Sequence, residues 1–315
     1  FKDRENDTLL YAGKIHVNVD MLGLISGKID VKSVKLEHIT SHIYRNAPDT
    51  NFNFTYIINA FAGDPAKPKE EKPKDTTGSP MAIDVNKVLL NDIYITFRDK
   101  TGGTDLAVDV DHLELKMKKI DLETMDFRVR DLVVSGLNTT FFQDTSLLPP
   151  QPEDTTQTAL LLSADNIDLQ NIRFTFGDNT DKFLMDINLG KLQAAVEQFD
   201  LLNQKVRVDK LELENTTTKI VMGKQSALPE KVEEVVDTLP ESNWRVEANT
   251  LRLANVGFAM DDENKPRQQY GMDYAHLDAQ KLALDAKDIL YTADSILGKI
   301  SHLAVKERKA PEPKQ

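Results

Sequence analysis

The sequence predicts an all-β fold: an elongated repeat array of antiparallel strands bent into a curved β-groove, with repeats of about 80 residues and Pro- and charge-rich loops between them. Three observations carry this. A strand-like run closed by aspartate occurs three times, at 90–99, 169–178 and 253–262, and its closing residues Asp99, Asp178 and Asp262 stand 79 and 84 residues apart. Inside and around each run apolar residues alternate with polar ones, the period of a half-buried strand. Breaks rich in Pro and charge recur at about the same spacing, and self-similarity of this length points to a stacked β array rather than a compact enzyme.

Taken in order, residues 1–64 form a first, truncated repeat. Phe1-Lys2-Asp3 looks like the last strand residues of the run before its turn, so the chain is expected to begin mid-repeat. Residues 33–39 resemble the strand before each later break, and 51–61 form an aromatic run without counterpart elsewhere. The second repeat, 79–144, places Ile93, Ile95 and Phe97 on one strand face and Tyr94, Thr96 and Arg98 on the other; Leu113, Leu115 and Met117 alternate with Glu114 and Lys116. The third, 159–223, repeats the pattern with Ile172, Phe174 and Phe176, then with Leu211 and Leu213. The fourth, 243–305, has Val256, Phe258 and Met260; residues 286–300 look helical, yet their place in the repeat favours strands. Segments 65–78, 145–158, 224–242 and 306–315 read as flexible loops or linkers, with a short helix possible in composition at 229–236 behind Pro229. Asp, Asn and Gly after each closing aspartate suit chain reversals. Each repeat is expected to hold about five to seven short strands.

Composition narrows function. Hydrophobic residues make up 40% and charged residues 29%, so the core is thin for 315 residues. A net charge of −12 argues against nucleic acid and against docking on an anionic bilayer, which both need basic patches. With no cysteine, disulfides, thiolate zinc sites and cysteine nucleophiles are excluded together. No apolar run is long enough to span a bilayer, although a targeting or anchoring segment is expected upstream of Phe1.

Motifs for chemistry are lacking. His38 and His42 have a spacing that suits zinc on a helix, but they fall in a strand-like segment. Residues 23–28 have one residue too few between their glycines for a phosphate loop, and Ile29 stands where Ser or Thr should bind magnesium. The acidic turn at 261–264 lacks the glycine and distal glutamate of an EF-hand. No nucleophile elbow is present. The repetition of Asp99, Asp178 and Asp262 at one structural place argues for turn formation, since an active site needs to occur only once. The expectation is a non-enzyme without catalytic residues, metal or cofactor.

A sheet with one apolar face must bury that face against something. Periodicity alone favours a closed β-sandwich array; the other solution is one sheet bent so that its apolar face lines a trough. A trough leaves part of that face for a guest. Acyl chains gain about 0.8 kcal/mol per buried methylene, so ten give roughly 8 kcal/mol at most.

Residues 7–17 (Asp7-Thr8-Leu9-Leu10-Tyr11-Ala12-Gly13-Lys14-Ile15-His16-Val17) resemble the opening strand pair of Bacteroidetes-type TamB proteins, the inner-membrane component of the translocation and assembly module. So do the stretch 29–44, Asn51-Phe52-Asn53-Phe54 with Ile57-Ile58, the Pro/Lys break, 92–99 and 289–294, in that order. The family is related to AsmA-like proteins and bridge-like lipid-transfer proteins. The resemblance implies a periplasmic β-groove anchored in the inner membrane by a preceding segment. It also implies transport of phospholipid, or help with outer-membrane protein assembly, between the two membranes, in support of outer-membrane biogenesis. Further partners would be the rest of the same chain and an outer-membrane barrel met by a C-terminal region that nothing here matches. The candidate groove residues are Ile93, Ile95, Phe97, Leu113, Leu115, Ile172, Phe174, Phe176, Leu211, Leu213, Val256, Phe258 and Met260, with ordinary core packing as the alternative for each. Rival readings are a structural or adhesive surface β-repeat protein and an assembly chaperone that pairs a strand edge with nascent β-proteins.

Overall fold

Two kinds of strand junction organise the molecule. The computed structural model describes residues 1–19, 29–48, 51–62, 83–121, 124–144, 146, 160–224, 243–268, 270 and 273–307. Among them are twelve strands: β1 (Tyr11–Val19), β2 (Ile29–Arg45), β3 (Ile83–Val85), β4 (Lys87–Asp99), β5 (Thr104–Asp121), β6 (Asp126–Gln143), β7 (Leu161–Asp178), β8 (Phe183–Asp200), β9 (Lys205–Met222), β10 (Arg245–Asp262), β11 (His276–Tyr291) and β12 (Ile296–Glu307). They form one open sheet in sequence order, with the short β3 beside β2. Pairing is antiparallel within β4–β5–β6, β7–β8–β9 and β10–β11–β12, and parallel at β2–β4, β6–β7 and β9–β10. The all-β open sheet is as the sequence predicts; its pairing is mixed rather than purely antiparallel.

The strands are fewer and longer than expected, six of the twelve having 18 residues. The cause is local. Asp92, Asn171, Asn215 and Asn255 have positive φ, as turn residues do, yet each sits in the middle of a strand as a bulge. The neighbouring strands carry a matching extra residue, so the register runs on across these positions, apart from a shift between β10 and β11, while the strands bend. Each bulge also keeps apolar residues on one face across a spacing of three, as in Leu90 to Ile93, Leu169 to Ile172 and Leu253 to Val256.

These bulges line up across the sheet. His38 lies beside Asp92, Gly136 beside Asn171, and Asn215 beside Asn255 at the three parallel junctions, all six with positive φ. Polar side chains stitch the line: His38 Nδ1 is 3.0 Å from Asp92 Oδ2, and Asn255 Nδ2 donates to Asn215 Oδ1 at 2.8 Å. Gly136 has φ +64, and a Cβ there would lie 1.9 Å from Asp111 Oδ2, so conformation favours glycine and any side chain would have to displace the Asp111 carboxylate. From each positive-φ residue to its strand end is seven residues on all six strands (38 to 45, 92 to 99, 136 to 143, 171 to 178, 215 to 222, 255 to 262). At about 3.3 Å per residue this makes a wall about 23 Å tall.

A second line crosses nearer the other strand ends. Val129 to Leu132, Ala164 to Ile167, Val208 to Leu211 and Ala248 to Leu251 again step by three. Asn166 donates to Asp131 and Asn249 to Asp209, each at 3.0 Å. Register irregularities continue the line through β5, β8 and β11.

The expected turn role of the aspartates holds. Asp99 Oδ1 accepts from the N–H groups of Thr101 and Gly102 (3.0 and 2.9 Å), and Asp178 Oδ1 from those of Thr180 and Asp181 (2.8 and 3.2 Å). Asp262 Oδ1 accepts from Asn264 N at 3.1 Å. Asp3 does the same with Glu5 and Asp7. Residues 286–300 are strand and turn, as read.

Two expectations need correction. Part of the aromatic run at 51–61 is helical: α1 (Thr55–Ala62) follows a turn in which Thr55 N donates to Phe52 O. Asn53 fixes it to β2, accepting from Tyr44 N and donating to His42 O. And β12 runs to Glu307, into the expected tail. The loops at 65–78, 147–158 and 225–242, the turn at 23–28 and the helix reading at 229–236 lie outside the described residues.

Candidate functional site: an apolar trough

Cross-strand register places apolar residues in rows perpendicular to the strands, and partners in register share a face. One row runs from Ile15 through Leu36, Leu90, Leu113, Val134 and Leu169, then through Leu192, Leu213, Leu253 and Leu284 to Leu303. Its neighbour runs from Val17 through Val34, Val88, Leu115, Leu132 and Ile167, then through Ala194, Leu211, Leu251 and Ala286 to Ile300. Each crosses eleven strands without a polar interruption. These two rows form the strip between the bulge lines.

Three more rows lie beyond the first bulge line. Ile93 and Ile172 belong to the row Ile39–Ile93–Val110–Leu137–Ile172–Leu189, and Val256 follows on β10 opposite Thr216. Ile95, Phe174 and Phe258 share the next row with Val108 and Ile187, broken by the hydroxyls of Ser41, Thr139 and Thr218. Phe97, Phe176 and Met260 stand in a rim row that links Ile43, Leu106, Phe141, Met185, Ile220 and Leu277. The thirteen sequence-derived residues thus occupy five adjacent rows of one sheet.

Burial shows which way the sheet bends. Every buried apolar side chain except Leu9 stands in a row flanking one of the two bulge lines: Ile39, Ile93, Val110 and Val134 at the first, and Val31, Met117, Val129, Ala164, Ala194, Ala248 and Ala286 at the second. Ile39, Ile93 and Val110 pack with Leu36, Leu90 and Leu113 from across the line. Met117, Val129 and Ala164 pack with Leu115, Leu132 and Ile167. Side chains crowd in a concave corner, so the apolar face is the inner face and the lines are its corners. The section is a trough with a two-row floor about 13 Å wide, by the ~6.7 Å spacing of alternate residues.

Away from the corners the face is not closed. Of the thirteen residues only Ile93 is buried; the others are half-buried. Among the described residues no second layer covers them, and no apolar side chain is fully enclosed. Among the described residues, cover of these thirteen exists at one place. Phe52, ahead of α1, stacks on Phe54 and lies 5.5 Å from Phe97, with the Arg45 guanidinium 4.7 Å above its ring.

Comparison with protein families, curated proteins and solved structures gives no match. The site therefore rests on its own geometry.

The rims are polar and tied. Arg45 Nε donates to Asp99 Oδ1 at 2.8 Å, and Gln143 Nε2 donates to Asp178 Oδ2 at 2.9 Å. The Arg45 hydrogen bond holds the Asp99 carboxyl below its ordinary pKa. Burial opposes ionisation of Asp178, but hydrogen bonds from Gln143 and from the Asp181 and Thr180 amides outweigh it and leave its pKa lowered. At the opposite rim Asp126 is lowered by Arg128 and Lys119.

His38 and His42 pair with separate carboxylates, Asp92 and Asp7. Among the described residues no group of three His, Asp or Glu side chains is placed for a metal. No described helix is long and apolar enough to cross a membrane.

Sequence reading missed the lower wall. Met117, Val129, Ala164, Val196, Val208 and Ala248 form one row, and Phe127, Leu162, Phe199, Val206 and Val246 another. The signal was present: in β9 the alternation of Val206 and Val208 resumes one residue out of step at Leu211 and Leu213.

Proposed function

We propose that this chain is a stretch of a non-enzymatic periplasmic conduit whose trough shields phospholipid acyl chains between the inner and outer membranes. One observation carries the reading: two aliphatic rows cross eleven strands unbroken while their side chains stay half-exposed. A guest on that floor is hydrocarbon rather than peptide. The interior strands already pair on both sides, so the trough offers a bound peptide no free backbone partners, and unpaired peptide groups are costly in an apolar site. The single open sheet also speaks against an adhesive sandwich, in which a second sheet would cover the rows.

In this reading the recurrence of β4, β7 and β10 marks a structural repeat of about 80 residues. The groove continues in the rest of the same chain, with an inner-membrane anchor before it and a barrel-binding region after it. A second reading, an assembly chaperone for outer-membrane β-proteins, is favoured by the outer edges of β1 and β12, which are unpaired among the described residues.

Photo-crosslinking from Phe174 in cells, with mass analysis of the adduct, tests the proposal. Phospholipid adducts are expected at Phe174, and also from Ile95 and Phe258. Peptide adducts without lipid at all three positions would replace the conduit with the chaperone.

A further inference from the structure

We propose that the hydroxyls of Thr139 and Thr218 donate to the ester carbonyl oxygens of a guest that stands upright in the trough, its tails on the floor. This rests on the conduit reading and gives its guest an orientation and two named contacts.

Polarity changes up the walls and repeats along them. Among the described residues, the two floor rows and the rows at both corners hold no aromatic side chain. Aromatics begin higher. Phe97, Phe141 and Phe176 stand five residues beyond Asp92, Gly136 and Asn171 of the first bulge line. On the lower wall Trp244 packs against Phe199, with ring centroids 6.0 Å apart, and stands five residues from Asn249 on the second line. At about 3.3 Å per residue, both levels lie about 16 Å up their walls. One leaflet of a bilayer's hydrocarbon core is about 15 Å thick, and aromatic girdles mark its boundary with water. Beyond the aromatic level come the polar ties of Asp99 and Asp178. An amphiphile matches this gradient only with its long axis up the wall.

The hydroxyls fall between floor and aromatic level. Thr139 and Thr218 lie three residues up from Gly136 and Asn215, about 10 Å, in register with Phe174 and Phe258. Ser41 holds the same position above His38, and its Oγ donates to the Leu9 carbonyl oxygen at 2.8 Å. A carbonyl is thus the acceptor that this station already takes within the chain. Thr216, in a corner row, is turned to its own strand and donates to Glu214 O at 3.1 Å. Thr139 and Thr218 have no side-chain partner among the described residues, and both are half-buried on the trough face. Strand packing uses only their β-branched shape, which valine supplies equally. The donor is left for a guest, and the carbonyl that sits at the head of a hydrocarbon chain is an acyl ester.

Trp244 is the chain's only tryptophan, so its fluorescence reports from one rim. The intact protein loaded with phosphatidylcholine brominated near its esters should be quenched more strongly than when loaded with the same lipid brominated near its chain ends. Wild type should also retain diester phosphatidylcholine about fivefold better than the diether analogue, which lacks the carbonyls, and T139V/T218V should retain the two equally. Equal quenching by the two labels, or stronger quenching by the chain-end label, would overturn the upright guest. Absence of a diester preference in wild type, or its survival in T139V/T218V, would overturn the hydroxyl contacts. Each of these results leaves the conduit standing, whereas no quenching by either label would remove lipid from the trough and the conduit reading with it.

Discussion

Arg45 and Asp99, 54 residues apart in sequence, close the same end of two parallel strands through the Nε to Oδ1 hydrogen bond of 2.8 Å. Gln143 and Asp178 repeat the relationship at the next parallel junction with a neutral donor. The rim is thus tied across the junctions that the chain itself does not close with a hairpin.

Acid should loosen these ties. Asp99 and Asp178 both have folded-state pKa values below the 3.8 of an ordinary aspartate. A depressed carboxylate contributes stability that is full above its unfolded pKa and is lost as pH falls through the folded one. Urea midpoints should be flat from neutral pH to about 5 and then fall steadily below about pH 4. D99N should be less stable at neutral pH and show a shallower acid decline. An unchanged acid slope in D99N would assign the decline to other groups.

Gly136 is the most constrained point on the first bulge line. G136A should destabilise by at least about 1–2 kcal/mol, because an L-residue is strained at this φ and its Cβ meets the Asp111 carboxylate. Shortening Asp111 in the double variant D111G/G136A should recover the steric part and leave the conformational part. Full recovery in denaturant melts would show that strain at this φ matters little.

The corner residues should cost more than the wall residues. I93A removes a buried side chain packed against Leu36 and Leu90 and should cost about 2–4 kcal/mol. F258A, on the half-exposed wall, should cost less per atom removed. Calorimetry that ranks them the other way would place the concave corner elsewhere.

F174E separates folding from function. A half-buried wall position tolerates a carboxylate better than a corner does, so the variant should fold; its charge lies where the proposal runs acyl chains. Lipid adducts from Ile95 and Phe258 should drop sharply. Wild-type adduct yield in a folded F174E protein would count against passage along the wall.

Much of the trough was legible because its rows follow a strict spacing. Ile93, Ile172 and Val256 could be aligned by their closing aspartates alone, and the turn role of Asp99, Asp178 and Asp262 followed from their repetition. Strand length was not legible. Asn171 and Asn255 carry the side chain that ends strands elsewhere, and only the neighbouring strand's matching bulge keeps the ladder intact. The parallel junctions were hidden for a similar reason, since Gln143 and Asp178 are brought together by partners that lie far along the chain. Helix α1 has eight residues, too few for a 3.6-residue period to stand out among β-favouring aromatics.

The seven-residue wall has a consequence for anything that moves within it. Because the rise from bulge to rim is equal on six strands, whatever enters meets the same cross-section at each step of about 4.8 Å from strand to strand. On those six strands no station is deeper than the next, and the cover that Phe52 lays over Phe97 is the one interruption seen among the described residues. For the acyl chains proposed above, such a surface would retain them sideways while leaving them free to slide lengthways, and any direction of travel would come from the ends.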